Sequence, residues 1–243
     1  MYNLLIALAV GVAVALAVLL AHLPWYAALV PGFLAFAGAF VLLGRQVGKR
    51  VKAITDVAEK ELSVQSSSMR ERQQRLEKAV KTLESALVWE KWQLFIGGAI
   101  HAQIGVVQYL HKDYAKAEPH LKQASVRNGL ARALLGALHY QRKEYPEMEA
   151  AFEGAVKAQK KDGLLWAAYA WCLLQRRERE KALQVMNRAV AANPNDEKLK
   201  NGLVALQNDK KLKMKPWEPA WWQFGLETPP EMMGGGRQVR FRH

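Results

Sequence analysis

LLWAAYAWCLLQRREREKALQVMNRAVAANP, from Leu164 to Pro194, decides how the chain is read. Apolar residues recur every three to four positions on both sides of the charged turn RRERE, which predicts two amphipathic helices joined as a hairpin. In the second helix Ala182, Met186 and Ala189 fall on successive turns of one face, and Pro194 follows where a helix must stop. Small residues on that face let two helix backbones approach closely. Trp166 and Tyr169 of the first helix supply the bulk between them, so the unit is suited to stacking.

The same pattern recurs upstream. Ala182, Met186 and Ala189 correspond to Met148, Phe152 and Ala155 one copy earlier. The offsets return at Ala117, Leu121 and Ala124 and at Ala79, Leu83 and Ala86, the first of these intervals a little shorter and the second a little longer. The first helices match through Ile104-Gly105 and Leu135-Gly136, and Tyr114 and Tyr145 stand three positions before Ala117 and Met148. These residues resemble the tetratricopeptide repeat, a helical hairpin of about 34 residues with a Leu-Gly pair, an aromatic, a small-aromatic-small run and a final proline. The likeness covers residues 94 to 194, with a degenerate half-repeat over 72 to 89 and a capping helix from Asn195 to Asn208. Met148 replaces a small residue, Ala170 replaces the glycine of the third copy, and only Pro194 supplies the terminal proline. A generic helical bundle is the competing arrangement.

The resemblance implies an all-α solenoid of three to four hairpins whose first helices line a concave face that binds protein segments. Function does not follow from fold alone. With repeats framed at Gly98, Gly129 and Gly163, the inward places are Ala102, Val106 and Tyr109, then Ala133, Ala137 and Tyr140, then Ala167, Trp171 and Leu174. That is an apolar, aromatic groove without the Lys, Asn and Arg of the family's carboxylate clamp. It is expected to take a hydrophobic protein segment, or else the chain's own Trp-rich tail or the helix from Met69 to Trp89.

Charge divides the chain. Residues 1–44 carry no Lys, Arg, Asp or Glu, and all 35 basic and 22 acidic residues lie beyond them. Asn3 to Leu23 and Trp25 to Leu43 are each about 20 apolar residues, roughly 30 Å as a helix, separated by His22-Leu23-Pro24. Two transmembrane helices in a hairpin are predicted. A signal peptide fits less well, because a basic n-region is missing and the apolar stretch runs on. Arg45, Lys49, Arg50 and Lys52 crowd the exit of the second span, which places both termini and the repeat domain in the cytoplasm of a bacterial-type inner membrane. Ala7, Gly11 and Ala15 form one small face, Ala9, Ala13, Ala17 and Ala21 another, either to close the hairpin or to join copies.

The expected domains are 1–44, a membrane hairpin; 45–93, a juxtamembrane helix and half-repeat; 94–209, the repeats and cap; and 210–243, a basic tail. Val47, Val51, Ile54 and Ala58 carry the helix past the membrane, Ser63 to Ser68 is a joint, and Met69, Leu76, Val80, Leu83 and Leu87 form a seam expected to pack on the following repeats. In the tail, Lys210, Lys211, Lys213 and Lys215 precede Trp217, Trp221 and Trp222, which are expected to lie on the repeats or at the membrane surface. The end, GGGRQVRFRH, reads as solvated.

Catalytic chemistry is sparse. A phosphate loop, a His-Glu-x-x-His motif, paired cysteines and a serine elbow are all missing, and His101, His111, His120 and His139 lack metal-pair spacing. No enzyme activity, cofactor or metal is expected, and Cys172 reads as a buried thiol. The pI of about 9.8 raises nucleic acid, but the basic residues gather at the membrane exit and in the tail. The expected function is a membrane-anchored scaffold or adaptor that binds protein segments, with the bilayer as second partner. The alternative is a structural homo-oligomer forming a ring, array or coat.

Overall fold

The computed structural model describes residues 1–22, 24–64 and 68–228. Residues 65–67 of the serine-rich joint and the terminal GGGRQVRFRH lie outside them. Among the described residues there are ten α-helices and no strand, so the chain is all-α. It packs as two units, Met1–Ile104 and Gly105–His243.

In the first unit, α1 (Tyr2–Leu20) and α2 (Trp25–Ser63) form the N-terminal hairpin, and both are long and apolar enough to cross a membrane. Asn3, Ala7 and Gly11 of α1 are buried, as are Ala28 and Gly32 of α2. A Cβ on Gly11 would stand 2.9 Å from the Gly32 carbonyl oxygen, and one on Gly32 would stand 3.0 Å from Ala15 Cβ. The two backbones therefore meet directly. Of the two small faces, the one through Ala7 and Gly11 closes the hairpin, while Ala9, Ala13, Ala17 and Ala21 are exposed. The outer surface keeps large apolar side chains, including Leu5, Val30 and Phe33, more than half exposed.

At 39 residues α2 is about 58 Å long, so it continues about 28 Å past Gly44. Beside this charged extension runs α3 (Met69–Ser85), returning antiparallel: Glu61 of α2 pairs with Arg75 at 3.7 Å and with Lys78. A 3-10 turn, Ala86–Trp89, continues it. The expected seam is corrected here. Met69 is exposed, and the buried stripe is Leu76, Ala79, Leu83 and Ala86, packed within this unit on α2. The helical period of 3.6 drifts from a strict heptad, so the buried line moves from Met69 and Val80 to Ala79.

The helix α4 (Ile96–Leu110) passes from the first unit into the second. The second unit continues with α5 (Tyr114–Gln123), α6 (Gly129–Gln141), α7 (Tyr145–Ala158), α8 (Gly163–Gln175), α9 (Arg179–Ala192) and α10 (Glu197–Gln207). Its repetition is in the backbone as much as in the core. Lys112, Lys143, Arg177 and Asp209 each adopt positive φ just past the end of α4, α6, α8 and α10. In every case the following N–H reaches back into the helix, Asp113 to Gln108, Glu144 to His139, Glu178 to Leu173 and Lys210 to Ala205. That closure satisfies the orphan carbonyls of each helix end. At the other ends Asn128, Asp162 and Asp196, spaced by one repeat length, accept first-turn N–H groups of α6, α8 and α10.

Each hairpin closes on a small residue. A Cβ on Gly105 would stand 2.9 Å from the Leu121 side chain, and one on Gly136 would stand 2.8 Å from Phe152. Ala170 and Met186 hold the equivalent places in the α8/α9 pair and are fully buried. Tyr169 does not fill its own hairpin as expected: it stacks on Phe152 of the preceding one, ring centroids 5.4 Å apart. Ion pairs join neighbouring elements on the outside. Arg142 meets Glu118 at 2.6 Å, Arg176 meets Glu149 at 2.7 Å, and Arg188 meets Glu153 at 2.7 Å. Hydrogen bonds from Lys122 and Arg142 hold Glu118 below the usual carboxylate range. Burial alone would raise Glu149, but bonds from Arg176 and Lys181 outweigh it, and Arg188 lowers Glu153.

Two outcomes follow from this packing. Gly11→Leu is expected to open the α1/α2 crossing, seen as loss of a disulfide engineered across the hairpin, whereas Ala9→Leu leaves that disulfide forming. Because the three carboxyls are depressed in the folded chain, their stabilisation is present above the ordinary glutamate value and disappears as pH falls below about 4.5. Each pair contributes at most about 1 kcal/mol. The thermal midpoint should be flat from about pH 7 to 5.5 and fall below it, less steeply in Glu118→Gln/Glu149→Gln/Glu153→Gln.

Candidate functional site: the concave face and its C-terminal strap

The first helices of the second unit present the residues predicted to form a groove. Ala133 and Ala137 on α6 and Ala167 on α8 are fully buried, and Trp171 is nearly so. Val106, Tyr140 and Leu174 are half-buried at the edges. Ala102 is also buried but belongs to the first unit. Tyr140 sits edge-on to Trp171, centroids 5.8 Å apart, which joins α6 and α8 through their aromatic rings.

The face is covered. After α10 the chain folds back as a strap in which Leu212, Met214, Trp217, Trp221 and Phe224 are buried. Short 3-10 turns at Lys215–Trp217 and Ala220–Phe224 shape it. Trp217 lies near Gly202 of α10, 3.9 Å from where a Cβ would stand. Further along, Trp221 stacks edge-on against Trp171 of α8 with centroids 5.3 Å apart, and Phe224 packs on Trp221. Then Gln141 at the end of α6 donates to the Gly225 carbonyl at 3.3 Å, and the Tyr109 hydroxyl of α4 donates to the Phe224 carbonyl at 2.7 Å. The strap therefore makes contact with α10, α8, α4 and α6.

Polar groups are matched along the way. Burying a peptide carbonyl without a partner is costly, and Tyr109 removes that cost while its own ring is buried. Burial pushes the Tyr109 phenol far up, with Tyr114 adding to the shift, so it stays a donor at any physiological pH. The Trp221 indole N–H donates to Glu227 at 2.8 Å. At Gly225 φ is +59°, and a Cβ there would meet the Tyr114 hydroxyl at 3.4 Å. This left-handed turn favours glycine, and it lets the chain leave the face immediately after Phe224.

At both places the structure takes one of the expected alternatives, the chain's own Trp-rich tail. Within the second unit the predicted wall is not open at Trp171, against which Trp221 and then Phe224 pack. Trp217 and Trp221 are not membrane-surface residues, because both are buried in the second unit; Trp222 is half-buried. The large apolar area of each indole is satisfied by protein, so lipid is not needed to cover it. Arg45, Lys49, Arg50 and Lys52, by contrast, lie along the extension of α2, with Lys49, Arg50 and Lys52 exposed and Arg45 at its start. Sequence reasoning missed Tyr109 as a hydrogen-bond donor to the strap and Gly225 as its exit; the pairing of an aromatic-rich tail with a following glycine was the available signal. Among the described residues no cluster of three metal-ligating side chains occurs, and Cys172 is fully buried, its thiol pushed up by burial.

Trp221→Ala is expected to destabilise the second unit by about 3 kcal/mol or more in chemical denaturation of the full chain in detergent. Trp222→Ala, at a partly exposed position, should cost less than about 1 kcal/mol. Equal effects would show that the strap is not anchored through Trp221. As to known proteins, no protein-family model matches the chain, and a search of curated proteins finds no match.

Proposed function

We propose that the chain is a membrane-anchored scaffold of the tetratricopeptide kind, which holds aromatic protein segments against the concave face of its second unit. The observation that carries this reading is the seating of Trp221 and Phe224 on Trp171 and Tyr109. It is a built-in example of what the face accepts: an extended segment with two aromatic side chains and a carbonyl positioned for the Tyr109 hydroxyl. Such surfaces draw most of their binding energy from a few buried aromatic anchors. A partner segment of the same chemistry competes with the strap, so the strap sets the threshold for capture.

In this reading α1 and α2 are the anchor. Their outward apolar side chains face lipid, and the absence of charge before Arg45 lets α1 and the part of α2 before Arg45 lie within the hydrocarbon. The basic flank after Gly44 supports the reading that the second unit lies on the cytosolic side of a bacterial-type inner membrane.

The test is photo-cross-linking in native membranes, with a photoreactive residue in place of Tyr140. With the native strap the expected capture is within the chain, at residues 221–225. In Trp221→Ala/Phe224→Ala a different protein should be captured by a segment bearing aromatic side chains. Capture of further copies of the same chain in both forms, together with one large symmetric assembly in detergent, would instead favour a structural oligomer.

A further inference from the structure

The first unit holds an aromatic cluster that the concave face does not use. The first N–H groups of α1 lack intrahelical partners, and two find them outside the helix: Tyr2 and Asn3 donate to the carbonyls of Lys91 and Trp92 at 3.0 and 3.1 Å. The Asn3 side chain donates to Gln93 at 3.1 Å, and Gln93 also lies against Gly44, where an added Cβ would come within 2.8 Å of it. One loop is thereby pinned to the end of both apolar runs, at Tyr2 on α1 and Gly44 on α2. The length match explains how it gets there. The extension of α2 beyond Gly44 covers about 28 Å, and α3 with its 3-10 turn retraces about the same distance.

From that level a ladder of rings climbs the charged end of α2. Tyr2 packs edge-on against Trp92 with centroids 5.4 Å apart, Trp92 against Trp89 at 5.8 Å, and the Arg50 guanidinium stands 5.0 Å over Trp89. Gly44 to Arg50 is about 9 Å of helix, comparable to the headgroup layer on one side of a bilayer. Next to the rings, Val88 is 70% exposed and Leu94 is 38% exposed. Lys91 in the same loop and Lys49, next to Arg50 on α2, are exposed as well. Amphipathic rings and exposed aliphatics where an apolar span ends, accompanied by cations, match the chemistry of a lipid interface.

We propose that the loop Val88–Leu94 is a lipid-binding element, seated in the headgroup layer, that takes anionic phospholipid between Arg50, Lys49 and Lys91 with Trp89 and Trp92 at the glycerol level. It rests on the reading of α1 and α2 as membrane-spanning. Its consequence is a fixed level for the first unit: the hairpin sets depth, and the α2/α3 pair returns the chain to the surface it left.

The experiment uses the full chain in vesicles of phosphatidylcholine alone or with phosphatidylglycerol, with spin labels on Val88→Cys, Leu94→Cys or Leu34→Cys; buried Cys172 gives the background. Leu34 lies midway along the apolar run of α2 and reports spanning independently of the loop. The expected result is oxygen-accessible, nickel-inaccessible labels at Leu34, and labels at Val88 and Leu94 shielded from aqueous nickel. That shielding should be greater with phosphatidylglycerol, and the difference should vanish in Lys49→Gln/Arg50→Gln/Lys91→Gln. Leu34 in hydrocarbon with Val88 and Leu94 fully open to nickel overturns the lipid element and leaves the anchor standing. Leu34 open to nickel overturns both. Strong dipolar broadening between labels at Val88 would assign the patch to a second copy and overturn it equally.

Discussion

Close approach of helix backbones at positions with little or no side chain is the constraint on which both units depend. In the N-terminal hairpin it falls at Gly11 and Gly32, where a Cβ on either would press on the other helix. In the second unit it falls at Gly105 and Gly136, which receive Leu121 and Phe152, and at Ala170, which is buried with Met186. The physics differs between the two settings. For two apolar helices long enough to cross a membrane, close packing supplies the van der Waals contact that hydrophobic burial provides in water. In water, the same closeness seals a core at crystal-like density, and a large residue from the second helix fills the notch the small one leaves. Enlarging a notch residue removes the space its partner occupies, so fold and repeat register fail together.

What the repeats do with their remaining face follows from this economy. The second helices are used in stacking, which leaves the first helices, rich in alanine, with a shallow apolar surface carrying Tyr109, Tyr140 and Trp171. Such a surface is stable in water only when covered. The strap covers it with two aromatic side chains and satisfies its own backbone at Phe224 and Gly225 through Tyr109 and Gln141. Stability and recognition thus draw on the same contacts: whatever displaces the strap has to replace both the rings and the hydrogen bonds.

Much of this was legible in the sequence. The charge-free opening and its two apolar runs predict the hairpin, and the regular recurrence of small and aromatic positions predicts the helix pairs, because helical periodicity and repeat spacing are local properties. Framing the repeats also picked out first-helix positions, of which Ala133, Ala137, Ala167 and Trp171 are buried. What lies against them stayed open between a partner segment, the Trp-rich tail and the helix from Met69 to Trp89, because the strap returns to Tyr109 from the far end of the chain and carries no helical period of its own. The seam of α3 was misplaced for a related reason. Met69 and Val80 suit a heptad, but packing on the extension of α2 selects Leu76, Ala79 and Leu83. The repeating positive φ at Lys112, Lys143 and Arg177 left no glycine in the sequence to mark it. By contrast, the caps Asn128, Asp162 and Asp196 recur once per repeat, a signal present in the sequence but not used to frame it.

The central claim is that the first-helix face of the second unit is held shut by the chain's own strap. Amide hydrogen exchange on the full chain in bilayer discs tests it most directly, because the strap's N–H groups at Trp217, Trp222 and Gly225 are hydrogen-bonded only within short turns. Those turns protect little unless they are packed against the helices. Residues 214–225 exchanging as slowly as α10 is the predicted result. Exchange of that segment at the rate of an unfolded peptide, with α6 and α8 still protected, would contradict it.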